Sequence, residues 1–331
     1  MTLITGITGL VGSHLAIHLL ESKTAVRGVY RTLKSIEKTK QVFEYYNKSH
    51  LFDKIDWVEA DILDIPSLEN AFQNIQYVYH CAGLISFDPN DEEQLRKINV
   101  EGTANIVNFC LSKKVNKLCF ISSIAALGDP INHQKINEET DWNPEKDHSD
   151  YAISKYGAEM EVWRAQQEGL STIIVNPGVI IAPPFWKNGS GEIFEKVKKG
   201  LKFYTNGSTG FVTITDVILI LTQLMKSNIE SEKYILVAQN WSYKDLVFKI
   251  ATAFKVKKPN IEATKLATTI AYKVDWIFTT FFMQKRKLSK LMAKSLHQKD
   301  LYDNQKIVNT LNYSFEDIEK YITKNIFIFA K

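Results

Sequence analysis

The feature that most constrains this chain is its opening. A short apolar run, Leu3-Ile4-Thr5, gives way to Gly6, Gly9 and Gly12, then to apolar residues at helical spacing from Ser13 to Leu20. A strand that breaks at glycine and restarts as a helix leaves free backbone N–H groups at the helix N-terminus. The helix dipole there favours an anion such as a pyrophosphate. Gly6 allows the tight turn, Gly9 a close approach of backbone to phosphate, and Gly12 close packing of helix on strand. The spacing is GxxGxxG, and three glycines also serve as plain strand–helix punctuation. A strand at residue three with this turn behind it suits a first βα unit, so the remaining chain decides what the turn holds.

Strands and helices alternate from there. Ala25 to Tyr30 reads as a second strand, followed by a lysine-rich helix from Leu33 to about Lys48. Ile55 to Ala60 is a third strand, Pro66 to Phe72 a short helix, and Tyr77 to Cys81 a fourth strand. One helix is expected from Glu92 to Ser112, a fifth strand over Lys117–Ile121 ending at Ser122-Ser123, a strong helix over Asp150–Glu168, and a sixth strand over Thr172–Val175. This alternation predicts an α/β fold: a Rossmann-type, doubly wound parallel sheet covered on both faces. After Gly178 the pattern changes, with loops at Pro183-Pro184, Asn188 to Gly191 and Asn206 to Ser208. Strands follow at Phe211–Ile214 and Tyr234–Val237 around a helix over Asp216–Met225, and the chain is mostly helical from Trp241. The expected division is a nucleotide-binding domain over 1–178, with return elements about 211–240. A smaller, mostly helical substrate part, made of 179–210 and 241–331, interleaves with it.

Composition narrows the class. The 331 residues can bury a large core, and 45% hydrophobic with 24% charged is ordinary for a soluble globular protein. A net charge of +4 is too mild for a nucleic-acid partner. Cys81, Cys110 and Cys119 have no metal-ligand spacing and lie in apolar segments, which predicts buried free thiols, a reducing cytoplasmic setting and no metal. Met1 enters the first strand with no basic lead, so no secretory leader is expected. Leu266 to Met283 is the longest apolar run, but Lys273 and Asp275 interrupt it, so it is a poor spanning helix.

The chemistry is expected at Tyr151 and Lys155. Residues four apart share a helix face, so phenol and ammonium can point into one cleft. The ammonium would lower the tyrosine pKa from about 10 and fit the phenol to exchange a proton with a carbonyl or alcohol oxygen. Fourteen tyrosines in a lysine-rich chain make this spacing common, and it also occurs at Tyr30–Lys34 and Tyr302–Lys306. Context separates them. Tyr30 closes a strand and Tyr302 sits in a polar stretch, whereas Tyr151 opens a long helix directly after a strand that ends in Ser122-Ser123. The C-terminal strand ends of a parallel sheet line the ligand crevice. Beside the glycine turn, this set describes hydride transfer.

At these residues the chain resembles the extended short-chain dehydrogenase/reductases. The resemblance covers about residues 2 to 240. Its carriers are Thr5 to Gly12, Asp61-Ile62, His80 to Gly83, Asn99 to Thr103, Ser122-Ser123, Tyr151 to Lys155, and Asn176-Pro177-Gly178. The resemblance implies Tyr151 as acid/base, with Lys155 tuning it and holding the nicotinamide ribose. Ser123, five residues before Gly128, is implied as the substrate-orienting hydroxyl, with Ser122 as the alternative. Cofactor contacts are implied at Gly6, Gly9, Leu10, Val11 and Gly12. Asp61 and Ile62 would border the adenine, Ala82 and Gly83 the middle of the cofactor, and the backbone at Pro177 and Gly178 the carboxamide. Asn99 is either a helix-packing residue or part of the site.

Arg31 ends the second strand, with Lys34 and Lys38 following, and a base there accommodates a 2′-phosphate. NADP(H) is therefore the expected cofactor, with NAD(H) the alternative if Arg31 only stacks on adenine. Leu127 precedes Gly128 where sugar-nucleotide members usually have tyrosine, and Asn176 stands where they usually carry arginine. After Arg164 only Arg286 remains to grip a diphosphate bidentately. These departures, with the runs His80–Phe87 and Ile121–Gly128, resemble the dihydroflavonol-reductase and 3β-hydroxysteroid-dehydrogenase branch. Phe185, Trp186, Phe203 and Tyr204 would suit an apolar small-molecule substrate. A carbonyl reductase or alcohol dehydrogenase is expected. The alternatives are a nucleotide-sugar epimerase or dehydratase, and a non-catalytic NADP(H) sensor. The 266–294 segment, with Lys285, Arg286, Lys287, Lys290 and Lys294, reads as a helix over the substrate pocket with an exposed basic end; the alternative is a membrane-surface helix. A homodimer through helices on the sheet face is a further implication of the resemblance.

Overall fold

The computed structural model describes residues 1–130, 134–183, 191–282 and 288–326. The first half builds β1 (Thr2–Thr5), α1 (Leu10–Glu21), β2 (Val26–Tyr30), α2 (Leu33–Tyr45), α3 (Ser49–Phe52), β3 (Asp56–Glu59), α4 (Ile65–Ala71) and β4 (Tyr77–His80). Then come α5 (Glu92–Leu95), α6 (Gly102–Ser112), β5 (Lys117–Ile121), α7 (Asp150–Gln167), β6 (Thr172–Pro177) and β7 (Val179–Ile181). The remainder gives α8 (Gly191–Lys198), β8 (Phe203–Tyr204), β9 (Ser208–Thr213), α9 (Ile214–Lys226), β10 (Glu232–Leu236), β11 (Gln239–Ser242), α10 (Tyr243–Phe254), β12 (Ile261–Glu262), α11 (Lys265–Phe282), α12 (Lys290–Ser295), α13 (Gln305–Leu311) and α14 (Ile318–Asn325).

Among the described residues seven strands form one parallel sheet in the order β10-β6-β5-β4-β1-β2-β3. Every residue of β1, β5 and β6 is buried, as a sheet covered on both faces requires. One apolar core joins the sheet to α1, α2 and α9, and a second joins it to α4, α6 and α7. The strand order reverses between β1 and β4, the switch point at which a doubly wound sheet has its ligand crevice, outside the C-terminal strand ends. This is the expected Rossmann-type α/β fold.

Two local differences bear on the site. The helix expected over Glu92–Ser112 is interrupted by a π-helical stretch, Arg96–Glu101, with no glycine or proline to announce it. The Thr103 hydroxyl donates to the Asn99 carbonyl at 2.6 Å and bonds a main-chain acceptor within this irregular stretch. The chain also stays extended past Val175. It runs through Pro177, crosses at Gly178, and restarts as β7 in a small sheet ordered β11-β9-β7. A Cβ at Gly178 would stand 2.4 Å from the Gly210 carbonyl oxygen, so only glycine fits this crossing. A further two-stranded sheet pairs β8 with β12.

Candidate functional site

The glycine turn forms a cradle that side chains would fill. Gly6 has φ +66°, and a Cβ there would lie 2.6 Å from the Ala82 nitrogen; a Cβ at Gly12 would lie 2.4 Å from the Gly6 carbonyl oxygen. Gly9 caps α1 in an extended conformation and gives no side-chain bond, so Leu10, Val11 and Gly12 begin the helix with no competing anion and no acid in the first turn. A dinucleotide pyrophosphate fits this donor set.

Along the crevice, Ala82 and Gly83 follow β4 and pack beside that turn. Gly83 is so placed that a Cβ would lie 3.3 Å from Asn99 Oδ1 and 3.9 Å from Lys155 Nζ. Arg31, largely exposed, and Asp61, half-buried, stand beyond the ends of β2 and β3, with 4.0 Å between Arg31 Nη1 and Asp61 Oδ2. Lys34 and Lys38 are exposed on α2. Ile62 is buried against Gly102. Phe203 is exposed, and Tyr204 packs edge-on to Phe248. Phe185 and Trp186 lie outside the described residues, as do Lys285, Arg286 and Lys287.

Ser149 caps α7 by accepting from the Ala152 N–H, which sets Tyr151 and Lys155 on the helix side facing the strand ends. Both are buried. Ser123 lies directly beyond β5, its hydroxyl near enough to the Tyr151 phenol to draw the phenol's pKa down; that hydroxyl accepts from the Ala125 N–H at 3.1 Å. Phe87 packs edge-on to the Tyr151 ring. Lys155 Nζ donates to the Ile121 carbonyl at 2.9 Å and sits 4.3 Å from the Phe120 ring centre. Burial lowers its pKa to about 8 against the pull of Glu159 and Cys81.

The expected lowering of the tyrosine pKa by this lysine is corrected here. Burial pushes the Tyr151 phenol up, and the Ser123 hydroxyl pulls it partly back. The lysine ammonium is directed at the Ile121 carbonyl instead. The other two tyrosine–lysine pairs are engaged elsewhere: Tyr30 packs on Trp57, and Lys306 bridges to Glu232 at 2.6 Å.

Three polar residues hold this set from behind. Glu159, one turn beyond Lys155, is 1% exposed; its Oε1 accepts from the Ser122 hydroxyl and from Asn176 Nδ2 at 2.6 Å. Asn176 also donates to the Ser123 carbonyl at 2.8 Å. The Ser122 hydroxyl is thereby turned into the core, away from the crevice. Asn99 accepts from the Leu84 N–H at 2.7 Å, and its amide nitrogen donates to the Leu84 carbonyl at 3.0 Å and to the Ser154 hydroxyl at 2.8 Å. It ties the loop after β4 to the helix of Tyr151. Glu159 escaped the sequence reading although its spacing after Lys155 was visible, because a glutamate on a charged helix ordinarily faces water. Among the described residues no group of His, Cys, Asp and Glu is placed to hold a metal ion, and no helix is long and apolar enough to cross a membrane.

Comparison with known proteins agrees with this architecture. The sequence model of the NAD dependent epimerase/dehydratase family matches residues 2–236. A putative dihydroflavonol 4-reductase from Synechocystis sp. is 30% identical over 262 residues, covering 77% of this chain and 73% of that protein. Cinnamoyl-CoA reductase 1 from Petunia hybrida is 26% identical over 274 residues, covering 77% and 78%. The structure of UDP-glucose 4-epimerase from Thermotoga maritima, solved with UDP-glucose, superposes with a TM-score of 0.78 at 18% identity over 99% of this chain and 98% of that one. That last likeness is one of fold.

Proposed function

We infer that this chain, an enzyme that belongs to the NAD dependent epimerase/dehydratase family, is an NADP(H)-dependent reductase of a carbonyl on a small, apolar substrate. The observation that carries the reading is the buried Tyr151 with Ser123 and Lys155 beside it, at the strand ends next to the glycine cradle. Gly6, Gly9, Leu10, Val11 and Gly12 would hold the pyrophosphate, Arg31 the 2′-phosphate, and Asp61 with Ile62 the adenine side. Ala82 and Gly83 would border the middle of the cofactor, and Pro177 and Gly178 would meet the carboxamide with backbone. When bound, the nicotinamide supplies a hydride for a carbonyl carbon.

Tyr151 gives its phenolic proton to the carbonyl oxygen. Its raised pKa keeps it protonated and ready to act as the acid in the reducing direction. The Ser123 hydroxyl orients the same oxygen and stabilises the phenolate left behind. Lys155 uses one N–H on Ile121 and has two others for a ribose hydroxyl. Residues 179–210 and 241–331 would form the substrate side, with 1–178 and about 211–240 as the nucleotide domain. The chain's three cysteines are free, and a reducing cytoplasm suits them.

The test is NADPH oxidation across aldehydes, ketones, steroids and flavonoid-like ketones, with Tyr151→Phe as control. Turnover should fall about 10²–10⁴-fold in that variant, with cofactor binding intact. Full activity in Tyr151→Phe refutes the assignment. Tight binding of a UDP- or GDP-sugar, with no carbonyl reduced, transfers the chain to the epimerases. NADPH binding without any turnover transfers it to the non-catalytic sensors.

A further inference from the structure

Over Lys265–Trp276 the sides of α11 are the reverse of those of an ordinary surface helix. Toward the protein it turns polar groups: Thr268 is buried, its hydroxyl 2.8 Å from His297 Nε2, and the Asp275 carboxylate accepts from the Leu288 N–H at 3.1 Å. Toward solvent it turns Leu266, Ile270 and Val274, which are 70%, 54% and 45% exposed, with Ala267 and Ala271 exposed beside them. Spaced four apart, the three aliphatics make one stripe about 12 Å long. Trp276, 53% exposed, extends the apolar surface past the last of them. A stripe of this kind, tied down by polar groups on its other side, marks a contact surface.

The charges around the stripe identify the partner. Lys265 and Lys273 are exposed on α11, and Lys290 and Lys294 on α12, which packs against it. On α11, α12 and β12 the acids are Asp275, which bonds the Leu288 N–H, and Glu262; Asp147 stands 4.0 Å from Lys294. A second copy meeting this face about a two-fold axis would bring lysines toward lysines. An apolar stripe rimmed by exposed lysines is complementary to a bilayer surface with anionic headgroups. We propose that α11 docks this protein on such a surface, lying in the interface with Leu266, Ile270 and Val274 in the acyl boundary and the lysines at the headgroups. The proposal does not depend on the assignment of Tyr151.

The experiment is sedimentation of the full chain with vesicles of phosphatidylcholine alone and of phosphatidylcholine with phosphatidylserine. The wild type should pellet with the anionic vesicles, less so as salt rises. Ile270→Glu/Val274→Glu should lower partitioning at least roughly tenfold, and Lys273→Glu by a smaller factor, both with unchanged circular dichroism and NADPH binding. The proposal is overturned if the wild type stays in solution with anionic vesicles, if it pellets equally with phosphatidylcholine alone, or if the double variant pellets like the wild type. A dimer that the double variant dissociates, with no vesicle binding, assigns the stripe to a second copy and also overturns it.

Discussion

Asn176 Nδ2 donates to Glu159 Oε1 at 2.6 Å, joining the end of β6 to the middle of α7 from underneath the candidate site. The same amide nitrogen reaches the Ser123 carbonyl, so the carboxylate, the amide and the serine strand end are one connected set. Glu159→Ala should leave the buried Ser122 hydroxyl without its acceptor and the Asn176 amide with only the Ser123 carbonyl. The expected cost is about 3 kcal/mol of stability, read by denaturant unfolding. Turnover should fall as Ser123 loses its support. Glu159→Gln keeps an oxygen acceptor and should recover most of that stability. It also removes the negative charge that raises the Lys155 pKa, so any alkaline limb of kcat set by Lys155 should move below about pH 8. Identical pH profiles for Glu159→Gln and the wild type would show that the carboxylate charge is not felt at Lys155.

The proposed preference for NADP(H) rests on Arg31. Its guanidinium is largely exposed, with only a 4.0 Å approach to Asp61, and is free to take a bidentate grip on a 2′-phosphate. Arg31→Ala should weaken NADPH binding about 10–100-fold, the worth of a charge-assisted bond, and leave NADH binding unchanged. Titrating both cofactors by fluorescence measures this. Equal losses for NADPH and NADH would reduce Arg31 to a group stacked on the adenine.

Acid should unfold the protein partly through His80. The Thr103 hydroxyl donates to the Asn99 carbonyl, so toward His80 Nε2, at 3.0 Å, it accepts; Nδ1 then accepts from the Thr5 hydroxyl at 2.6 Å. This leaves the ring neutral with its proton on Nε2, and burial holds its pKa down to about 3. The unfolded ring titrates near 6.5. Between these values the unfolded chain binds a proton that the folded chain refuses, so stability falls as pH drops. The contribution lost between pH 7 and pH 4 is about 3 kcal/mol. His80→Gln, which offers the two threonines an acceptor and a donor, should flatten that part of the stability–pH curve. A curve as steep as the wild type's would place the acid sensitivity elsewhere.

Much of this molecule was legible in the chain. The strands of the large sheet are short apolar runs ended by polar or glycine residues, and the Tyr151 helix announces itself after Ser122-Ser123. What escaped is non-local or unmarked. Pro177-Gly178 reads as a stop, yet the chain runs on through it into Val179–Ile181, and the pairing of that strand with β9 spans a loop that local pattern does not encode. The π-helical stretch at Arg96–Glu101 lacks any breaker, because its irregular backbone is satisfied by side chains such as Thr103. For α11, the sequence marks an apolar run but not which side faces the protein. That side is fixed by Thr268 and Asp275, whose partners lie on a later segment.

Asn99 is where the two open readings of that residue can be separated. Its side chain grips both main-chain groups of Leu84 and also the Ser154 hydroxyl, whose own proton goes to the Tyr151 carbonyl at 2.8 Å. The loop bordered by Gly83 is thus fixed to the helix of Tyr151 through one amide. Asn99→Asp keeps the acceptor for the Leu84 N–H but turns an oxygen on the Leu84 carbonyl and on Ser154, where the nitrogen had donated. Opposed acceptors and a buried charge should cost about 2–3 kcal/mol. If Asn99 only packs, melting temperature falls and kcat per folded molecule is unchanged. If it positions the site, kcat falls further, by roughly tenfold, at temperatures well below the melt. The measurement is kcat and KM beside a thermal melt of the same variant, and a fall in kcat with KM unchanged, in fully folded protein, assigns Asn99 to the site.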